Sequence, residues 1–442
     1  MHPIIKKLDT LINNEKSGNN FKNYNLNDIE KLLKLFGNPH KKIKTIHIAG
    51  TNGKGSVAYM LNSILIASGK RTGLYTSPHL VRINERIKIS NMEIPSRQLV
   101  KYTNELFTVL AKNKNLHPTY FDALTLFAFR FFFEEKAEIA VIEAGLGGRL
   151  DSTNVISPEI SVITDISLDH THILGRTLNE IAHEKAGIIK KNTVVVTSNQ
   201  NKKILNMLAQ KSKLEHSELY ALKKNFLTEN ITTLNNNKRT SFDYLLKKDS
   251  NETPNTFAFN KVELPIPGKF QVINASLAIT SSLLLTKSGI IVTERDIRKG
   301  LRNAHIPGRL QTLSVDPLII FDPAHNTAAI TSVVRAIKEL YPEKKYSVLV
   351  SFMTDKDHTL MFKILQKELT GNIFYYELDD VRCFKIPELK SSRKSLYNNI
   401  ISISDFKKLK EKIRSSLEPD ILLVITGSFR IYGIAKKLIK AI

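Results

Sequence analysis

The sequence predicts an α/β protein with two domains, each built on a mostly parallel sheet. Its 442 residues are too many for one ordinary hydrophobic core, and 42% of them are hydrophobic, which is enough for packed interiors. Short β-branched segments alternate with segments of helical periodicity, a pattern typical of parallel sheets covered by helices. Pro307 and Gly308 interrupt this alternation just after His305. We therefore expect one domain at residues 1–304 and a smaller one at residues 305–442.

In the first domain, the β-branched residues 43–49 predict a strand, and residues 57–68 predict the helix that follows, with Gly69 as its stop. Residues 201–263 are rich in Lys, Asn and Thr, and we expect them to form a helix, short antiparallel strands and mobile loops. A helix resumes at residues 272–285. Further strands are expected at residues 71–75, 139–143, 160–165 and 193–197, with helices between them.

The second domain repeats the alternation on a smaller scale, so we expect a Rossmann-like α/β fold. Its predicted strands are residues 318–321, 346–350, 373–376 and 421–425. Its predicted helices are residues 328–340, 357–369, 405–416 and 431–442.

A glycine-rich segment, IHIAGTNGKGSVA at residues 46–58, joins the first strand to its helix, as a phosphate-binding loop does. Glycines there let backbone N–H groups approach phosphates, Lys54 supplies a cation, and the Ser56 hydroxyl suits phosphate or metal. The common pattern has Ser or Thr directly after the lysine, whereas Gly55 intervenes here. A tight turn between buried elements is the alternative. The candidate nucleotide contacts are Thr51, Asn52, Gly53, Lys54, Gly55 and Ser56, and the fold class that we expect for the first domain is a P-loop-type ATPase domain.

The net charge of +23 raises the alternative of a nucleic-acid-binding protein with a vestigial loop. The lysines are scattered among Asn and Ile, with no Arg-rich tract, so we expect no nucleic-acid partner. No apolar run is long enough to cross a bilayer, and residues 1–16 lack the apolar core of a signal peptide. Cys383 is the single cysteine, which excludes an internal disulfide. We expect a cytoplasmic protein without a membrane partner.

Seven further motifs follow the loop in a fixed order. They are YTSPHLVRINERI (75–87), IEAGLGGRLDSTN (142–154), SLDHTHILG (167–175), IAHEKAGIIK (181–190), PGRLQ (307–311), DPAHN (322–326) and TGSFR (426–430). This series closely resembles the folylpolyglutamate synthase / dihydrofolate synthase family, a branch of the Mur ligases. The resemblance runs from about residue 43 to the C-terminus and weakens in residues 201–263. In this family the loop has an extra glycine between the lysine and the following Ser or Thr, as Gly55 stands here.

The resemblance implies an ATP- and Mg²⁺-dependent amide ligase acting on small molecules. ATP phosphorylates a carboxylate on a pterin compound, and the amine of L-glutamate then attacks the acyl phosphate. Dihydropteroate as acceptor gives dihydrofolate, and a folate that already carries glutamate gives a γ-linked polyglutamate. We expect a monomer. The rival within the superfamily is a cell-wall Mur ligase that adds an amino acid to a UDP-sugar peptide, against which the motif SPHLVRINERI and the pterin segment argue.

The resemblance also implies a metal site formed by Ser77, Glu143, His170 and Lys185, with two Mg²⁺ ions. Glu143 ends a strand, where open α/β sheets place ligands, and a carboxylate suits Mg²⁺. In the related ligases the lysine at the position of Lys185 is carbamylated, which turns a cation into an anion and requires a neutral amine. The plain alternatives are a solvated strand-end acid and a solvated helix lysine.

The segment HPTYFDALT resembles the family's pterin-contacting segment, with Thr119, Tyr120, Phe121 and Asp122 at the matching positions. An aromatic face stacks on a pterin, and a carboxylate pairs with its N–H groups. Core packing is the rival explanation for Phe121, and Asp122 stands where relatives usually have Glu. The other wall of the pocket is assigned by resemblance to Leu150, Asp151 and Ser152.

The remaining ATP contacts implied by the resemblance are Asn274, Arg309 and Asp322, of which the last two lie in the second domain, so that ATP would bridge the domains. Arg309 offers a permanently charged planar fork, and Asp322 can accept hydrogen bonds from ribose hydroxyls. Surface charge is the alternative for both. With Lys54 and Lys185, His325 is the third catalytic candidate, as a residue that holds phosphate or positions glutamate. Ser351 stands where relatives usually have glycine.

Overall fold

The computed structural model describes residues 2–12, 25–234, 239–247, 256–369, 371–386 and 400–442. These residues form two compact units. The first comprises Met1–Pro265 and Lys269–Ile306, and the second comprises Ile266–Gly268 and Pro307–Ile442. The domain boundary proposed from the sequence stays a prediction.

The first unit is built on an eight-stranded sheet and a separate three-stranded antiparallel sheet. The strands of the large sheet are β1 (Lys44–Ala49), β2 (Thr72–Tyr75), β3 (Ile87–Ile89), β4 (Met92–Glu93), β5 (Ile139–Glu143), β6 (Ile160–Ile163), β7 (Val194–Thr197) and β8 (Glu218–Ala221). Across the sheet their order is β4-β3-β2-β5-β1-β6-β7-β8. The six strands β2, β5, β1, β6, β7 and β8 pair in parallel with their neighbours in this group. The small sheet contains β9 (Phe226–Leu234), β10 (Arg239–Lys247) and β11 (Thr256–Leu264).

Helices pack against both sheets of the first unit. They are α1 (Pro3–Lys6), α2 (Asn27–Leu35), α3 (Lys54–Ala67), α4 (Ser96–Lys112), α5 (Tyr120–Glu134), α6 (Thr171–Leu174), α7 (Leu178–Ala186), α8 (Lys202–Leu214), α9 (Lys269–Leu284) and α10 (Glu294–Arg302). None of the helices in the described ranges is both long and apolar enough to cross a bilayer.

The predicted parallel sheet and antiparallel insertion of the first unit are confirmed, and each predicted strand lies within two residues of the observed one. The insertion strands were expected to be short, but β9, β10 and β11 have nine residues each. All three strands mix polar and apolar residues, so none shows the continuous apolar run that marks a long buried strand in the sequence. Mobile loops were also expected within residues 201–263, of which residues 235–238 and 248–255 lie outside the described residues.

The second unit carries a six-stranded sheet, and the prediction of a smaller α/β domain is confirmed. Its strands are β12 (Gln311–Val315), β13 (Leu318–Phe321), β14 (Lys345–Val350), β15 (Ile373–Tyr376), β16 (Ile400–Ile403) and β17 (Ile421–Thr426), in the order β12-β13-β17-β14-β15-β16. Its helices in the described residues are α11 (Thr327–Leu340), α12 (His358–Glu368), α13 (Phe406–Ser416) and α14 (Tyr432–Ile439).

The four predicted strands of the second unit are all present, whereas the two edge strands β12 and β16 were not predicted. Both are mainly half-exposed, so they lack the continuous apolar run that marks the central strands. β12 pairs antiparallel with β13, unlike every other pair in this sheet.

The centre of the large sheet places three strand ends side by side. β1 lies between β5 and β6, with Ile48 opposite Glu143 on one side and Ala49 opposite Ile163 on the other. Parallel strands that end together create a crevice at their carboxyl edge, where such sheets bind ligands. The glycine-rich loop leaves β1 at this edge.

Candidate active site

The glycine-rich loop ends at the N-terminus of α3, as its sequence predicts. Gly53 is the N-cap with φ +89°, and a Cβ at this position would lie 2.4 Å from Oδ1 of Asn274. Because the N-cap residue is glycine, it supplies no side-chain acceptor to the first-turn N–H groups of α3. A helix N-terminus of this kind binds phosphate.

Two residues of the loop form hydrogen bonds with the segment that follows β6. The Thr51 amide donates to the carbonyl oxygen of Asp165 at 2.7 Å, and its hydroxyl donates to the carbonyl oxygen of Ser167 at 3.0 Å. The side-chain amide of Asn52 donates to Oγ of Ser167 at 3.0 Å and to Asp165 at 3.3 Å. The loop is therefore held in shape by its neighbours, which leaves Gly53 and Lys54 at its tip.

Lys54 and Lys185 meet at this loop. Nζ of Lys54 donates to the carbonyl oxygens of Gly50 at 3.1 Å and Thr51 at 3.3 Å, and Nζ of Lys185 donates to the same Gly50 oxygen at 2.8 Å. Lys185 lies on α7 and is 3% exposed. Burial, together with the charge of Lys54, lowers the pKa of Lys185 to about 7. Near neutral pH a large fraction of this amine is uncharged.

Glu143 and Ser77 also lie at this edge. The Glu143 side chain is 4% exposed, and its Oε2 accepts a 3.1 Å hydrogen bond from the amide of Ser77. A Cβ on Gly55 would lie 3.5 Å from the same Oε2, which places the carboxylate directly beside the first turn of α3. The structure thus brings Ser77, Glu143 and the loop together, and a carboxylate oxygen in this position is a suitable ligand for Mg²⁺.

His170 begins the short helix α6 and adopts the left-handed conformation, with φ +49°. Its amide donates to Oδ1 of Asp169 at 2.8 Å, and its ring Nε2 lies 3.9 Å from that oxygen. Among the described residues no three His, Cys, Asp or Glu side chains are grouped as a metal site. Of the four predicted metal ligands, Glu143 and His170 are of these residue types. The other two ligands would be the Ser77 hydroxyl and a carbamate on Lys185.

The predicted pterin segment forms the N-terminus of α5. Thr119 and Asp122 make a capping box, in which the Asp122 amide donates to the Thr119 hydroxyl and the Thr119 amide donates to Asp122 Oδ2, at 3.1 and 2.7 Å. The other carboxylate oxygen of Asp122 accepts a 2.5 Å hydrogen bond from Ser152. The hydrogen bond between Ser152 and Asp122 therefore joins the two predicted walls of the pocket, residues 119–122 and residues 150–152.

Asp151 has a similar role within its own loop. Its Oδ2 accepts from the Leu146 amide at 2.8 Å, and its Oδ1 accepts from the amide and hydroxyl of Thr153 at 3.0 and 2.5 Å. Burial raises the pKa of Asp151, and these hydrogen bonds oppose that rise. Leu150, which precedes it, is half-buried.

The two aromatic residues of the segment differ in surroundings. Phe121 is half-buried and stacks on Tyr75 with a centroid distance of 5.7 Å, and a Cβ on Gly145 would lie 2.5 Å from its ring. Tyr120 is 6% exposed, and the guanidinium of the buried Arg86 lies 5.9 Å from its ring. Phe121 thus has a partly open face, whereas Tyr120 belongs mainly to the core.

In the second unit, Arg309, Asp322 and His325 lie together at the carboxyl end of β13. Nη1 of Arg309 is 4.0 Å from Asp322 Oδ1, and the Asp322 carboxylate accepts from the amides of Leu310 and Ala324 at 3.1 and 3.0 Å. Burial raises the pKa of Asp322, whereas the charge of Arg309 lowers it. Phe429 packs against both the Arg309 guanidinium, at 5.3 Å, and the His325 ring, at 5.7 Å.

Several residues of these sites were not singled out from the sequence, among them Asp165, Asp169, Thr153 and Phe429. Asp165 and Asp169 follow β6, and that position at a strand end was an available signal. Thr153 and Phe429 lie within the motifs at residues 142–154 and 426–430, but their residue types gave no separate signal, because a buried threonine and a packed phenylalanine resemble ordinary core residues.

The chain matches known families over most of its length. The Mur ligase middle domain matches residues 48–282, which is more than half of the chain, and the Mur ligase glutamate ligase domain matches residues 308–429. The folylpolyglutamate synthase of Lacticaseibacillus casei is 34% identical over 335 residues, which is 75% of this chain and 76% of that protein. The dihydrofolate synthase/folylpolyglutamate synthase of Bacillus subtilis is 32% identical over 346 residues, 77% and 78% of the two chains.

Solved structures agree with these matches. A folylpolyglutamate synthase complex with AMPPCP and folate superposes with a TM-score of 0.82 at 30% identity, over 99% of this chain and 98% of the other. The Mycobacterium tuberculosis folylpolyglutamate synthase in complex with ADP and AMPPCP has a TM-score of 0.83 at 27% identity, over 94% and 95% of the two chains.

Proposed function

This chain belongs to the Mur ligases, in the branch of the folylpolyglutamate and dihydrofolate synthases, and from that membership we propose its substrates and the roles of its residues. It is an ATP-dependent ligase. The proposed acceptors are dihydropteroate and folates that already carry glutamate, and the proposed amine is L-glutamate. The observation that supports this most directly is the meeting of Lys54 and Lys185 at Gly50, beside the Glu143 carboxylate.

The proposed reaction has two steps. An oxygen of the acceptor carboxylate attacks the γ-phosphorus of ATP, the bond to the β–γ bridging oxygen breaks, and ADP leaves. The glutamate nitrogen then attacks the carbonyl carbon of the acyl phosphate, the bond from carbon to the phosphate oxygen breaks, and phosphate leaves as the nitrogen loses a proton. Lys54 and the amides at the α3 N-terminus hold the phosphates, and they stabilise the charge of the transferred group.

We propose that Ser77, Glu143, His170 and a carbamate on Lys185 hold two Mg²⁺ ions. Bound there, the ions would neutralise the charge of ATP and of the acceptor carboxylate, which otherwise repel. Lys185 fits the carbamate because its buried amine has a pKa lowered to about 7, and a neutral amine is the form that reacts with CO₂. Glu143 fits as a buried oxygen ligand beside the loop.

For the acceptor, we propose that Phe121 stacks on the pterin and that Thr119, Tyr120, Asp122, Leu150, Asp151 and Ser152 shape its pocket. The hydrogen bond between Ser152 and Asp122 supports one continuous pocket wall. Asn274, Arg309 and Asp322 are proposed ATP contacts, and His325 a phosphate or glutamate contact. The monomeric state and cytoplasmic location expected from the sequence stay predictions.

The experiment for this proposal offers radiolabelled L-glutamate and ATP with each acceptor in turn. Label should enter dihydropteroate and tetrahydrofolate, and it should not enter a UDP-sugar peptide. Incorporation into the UDP-sugar peptide alone would identify a cell-wall ligase instead.

A further inference from the structure

A buried hydrogen-bonded chain starts at His47, in the middle of β1. The His47 side chain is fully buried, and its Nε2 lies 2.8 Å from the hydroxyl of Thr153. That hydroxyl donates to Asp151 at 2.5 Å, and the other oxygen of Asp151 accepts from the Leu146 amide. Four residues from two segments, β1 and residues 146–153, are thus linked, and none of the four is exposed.

The direction of each hydrogen bond in the chain follows from the number of protons. Thr153 has one hydroxyl proton and donates it to Asp151, so it must accept from His47. Nε2 of His47 therefore carries the ring proton. Nδ1 has no hydrogen-bond partner in the described part of the chain, and burial lowers the pKa of His47 to about 3, so the ring is neutral.

The position of His47 connects two parts of the ligase. It lies three residues before Gly50, on the strand that carries the glycine-rich loop. Asp151, at the other end, closes the loop at residues 145–151 by accepting the Leu146 amide, and the next residue, Ser152, bonds to Asp122 at the start of α5. A neutral ring in a central strand is a rigid donor, because β1 is paired on both sides.

We propose that His47 is a positioning residue that, through Thr153 and Asp151, holds the loop at residues 145–151 as a wall of the acceptor pocket. This inference rests on the proposed function for its acceptor, whereas the positioning itself rests on the hydrogen bonds alone. His47 touches no substrate in this proposal. Its donor orients Thr153, and Thr153 orients the carboxylate that closes the loop.

The test compares variants that remove the donor with variants that keep it. His47→Leu removes the ring N–H donor, and Thr153→Val removes the hydroxyl, each with little change in side-chain volume. His47→Gln and Thr153→Ser keep a polar group in the same place. His40→Leu is the matched control, because His40 is also a buried histidine with an unpartnered Nδ1 in the described structure but lies outside this chain of bonds.

Hydrogen–deuterium exchange gives a measurement that does not depend on activity. In His47→Leu and Thr153→Val, the peptide covering residues 144–152 should exchange faster than in the wild type, while α4 should be unchanged. His47→Gln, Thr153→Ser and His40→Leu should leave that peptide near the wild-type rate. Unchanged exchange at residues 144–152 in both His47→Leu and Thr153→Val would overturn the proposal.

Kinetics test the consequence for the acceptor. The KM for the pterin acceptor should rise by roughly three- to tenfold in His47→Leu and Thr153→Val, the range expected for one lost buried hydrogen bond. The KM for ATP should stay within about twofold, and His40→Leu should match the wild type. Faster exchange with an unchanged acceptor KM would also overturn the proposal. If the wild type transfers glutamate to neither acceptor, the proposed function fails, and the exchange result alone then decides the role of His47.

Discussion

Lys54 and Lys185, which are 131 positions apart in the sequence, donate hydrogen bonds to the same carbonyl oxygen, that of Gly50, at 3.1 and 2.8 Å. Two ammonium groups on one oxygen repel each other, and burial of Lys185 adds to the cost of its charge. The arrangement favours an uncharged Lys185 beside a charged Lys54. In the proposed function, Lys54 is the amine that binds phosphate and Lys185 is the amine that is carbamylated.

Lys54→Ala should lower turnover by roughly a hundredfold or more, because it removes the charge that we propose stabilises the transferred phosphoryl group. Folding should be intact, since Lys54 is partly exposed and its bonds go only to loop carbonyls. Steady-state ADP release measures the effect. Lys101→Ala, an exposed lysine on α4, is the control and should stay within about twofold of the wild type. Near-normal turnover in Lys54→Ala would show that the loop is not catalytic.

Lys185→Ala and Lys185→Arg should both be nearly inactive, because neither side chain can form a carbamate and arginine keeps its positive charge. Added formate or acetate should restore part of the activity of Lys185→Ala, whose cavity admits a small carboxylate, but not that of Lys185→Arg. Nuclear magnetic resonance with ¹³C-labelled bicarbonate should show a carbamate carbon in the wild type and lose it in both variants. An active wild-type enzyme without that signal would refute the carbamate and leave the ligase assignment intact.

Asp122→Ala should raise the KM for the pterin acceptor and leave the KM for ATP unchanged, because it breaks the link to Ser152 as well as the α5 capping box. Losing the cap should also cost about 1 kcal/mol of stability. Asp296→Ala is the matched control, since Asp296 occupies the same capping-box position with Thr293 in α10. It should lose only the capping contribution, and so less stability than Asp122→Ala, with normal kinetics. A rise in the KM for ATP instead of the acceptor would show that the pocket assignment is wrong.

His47 should make the protein less stable in acid. Its pKa is lowered from 6.5 to about 3 in the folded state, so between these values the unfolded chain binds the extra proton. The part of the unfolding free energy that depends on His47 is therefore at its highest above pH 6.5 and falls as the pH falls toward 3. His47→Gln does not titrate there, and between pH 7 and pH 5 it should lose about 2 kcal/mol less unfolding free energy than the wild type. Denaturant unfolding at the two pH values measures this, and equal losses would contradict a neutral buried ring.

The sequence predicted the central strands well because they are buried on both faces. β1, β5, β6 and β7 are short, mainly apolar runs bounded by polar or glycine residues, and burial leaves such segments few alternatives. β12 escaped prediction because a half-exposed edge strand mixes polar and apolar residues. The same limit applies to β9, whose outer face is polar.

For the candidate site, the sequence identified the residues that the motifs contain but not what holds them. Asp122 could be assigned to a ligand from its motif, whereas its bond to Ser152 depends on two segments that meet only in the fold. His47 carries no signal at all, since a lone histidine in an apolar strand resembles a core residue. The lowered pKa of Lys185 likewise requires burial and a neighbour that the sequence places far away.

The most direct test of the account is ADP release by the wild-type protein with ATP, Mg²⁺ and L-glutamate, with dihydropteroate and tetrahydrofolate supplied as separate acceptors. We predict ADP release that requires both the acceptor and glutamate, with one glutamate incorporated for each ADP formed. Release with both acceptors would establish both ligase activities. ADP release that is independent of either acceptor, or none with both, would contradict the proposal that this chain joins glutamate to pterin carboxylates.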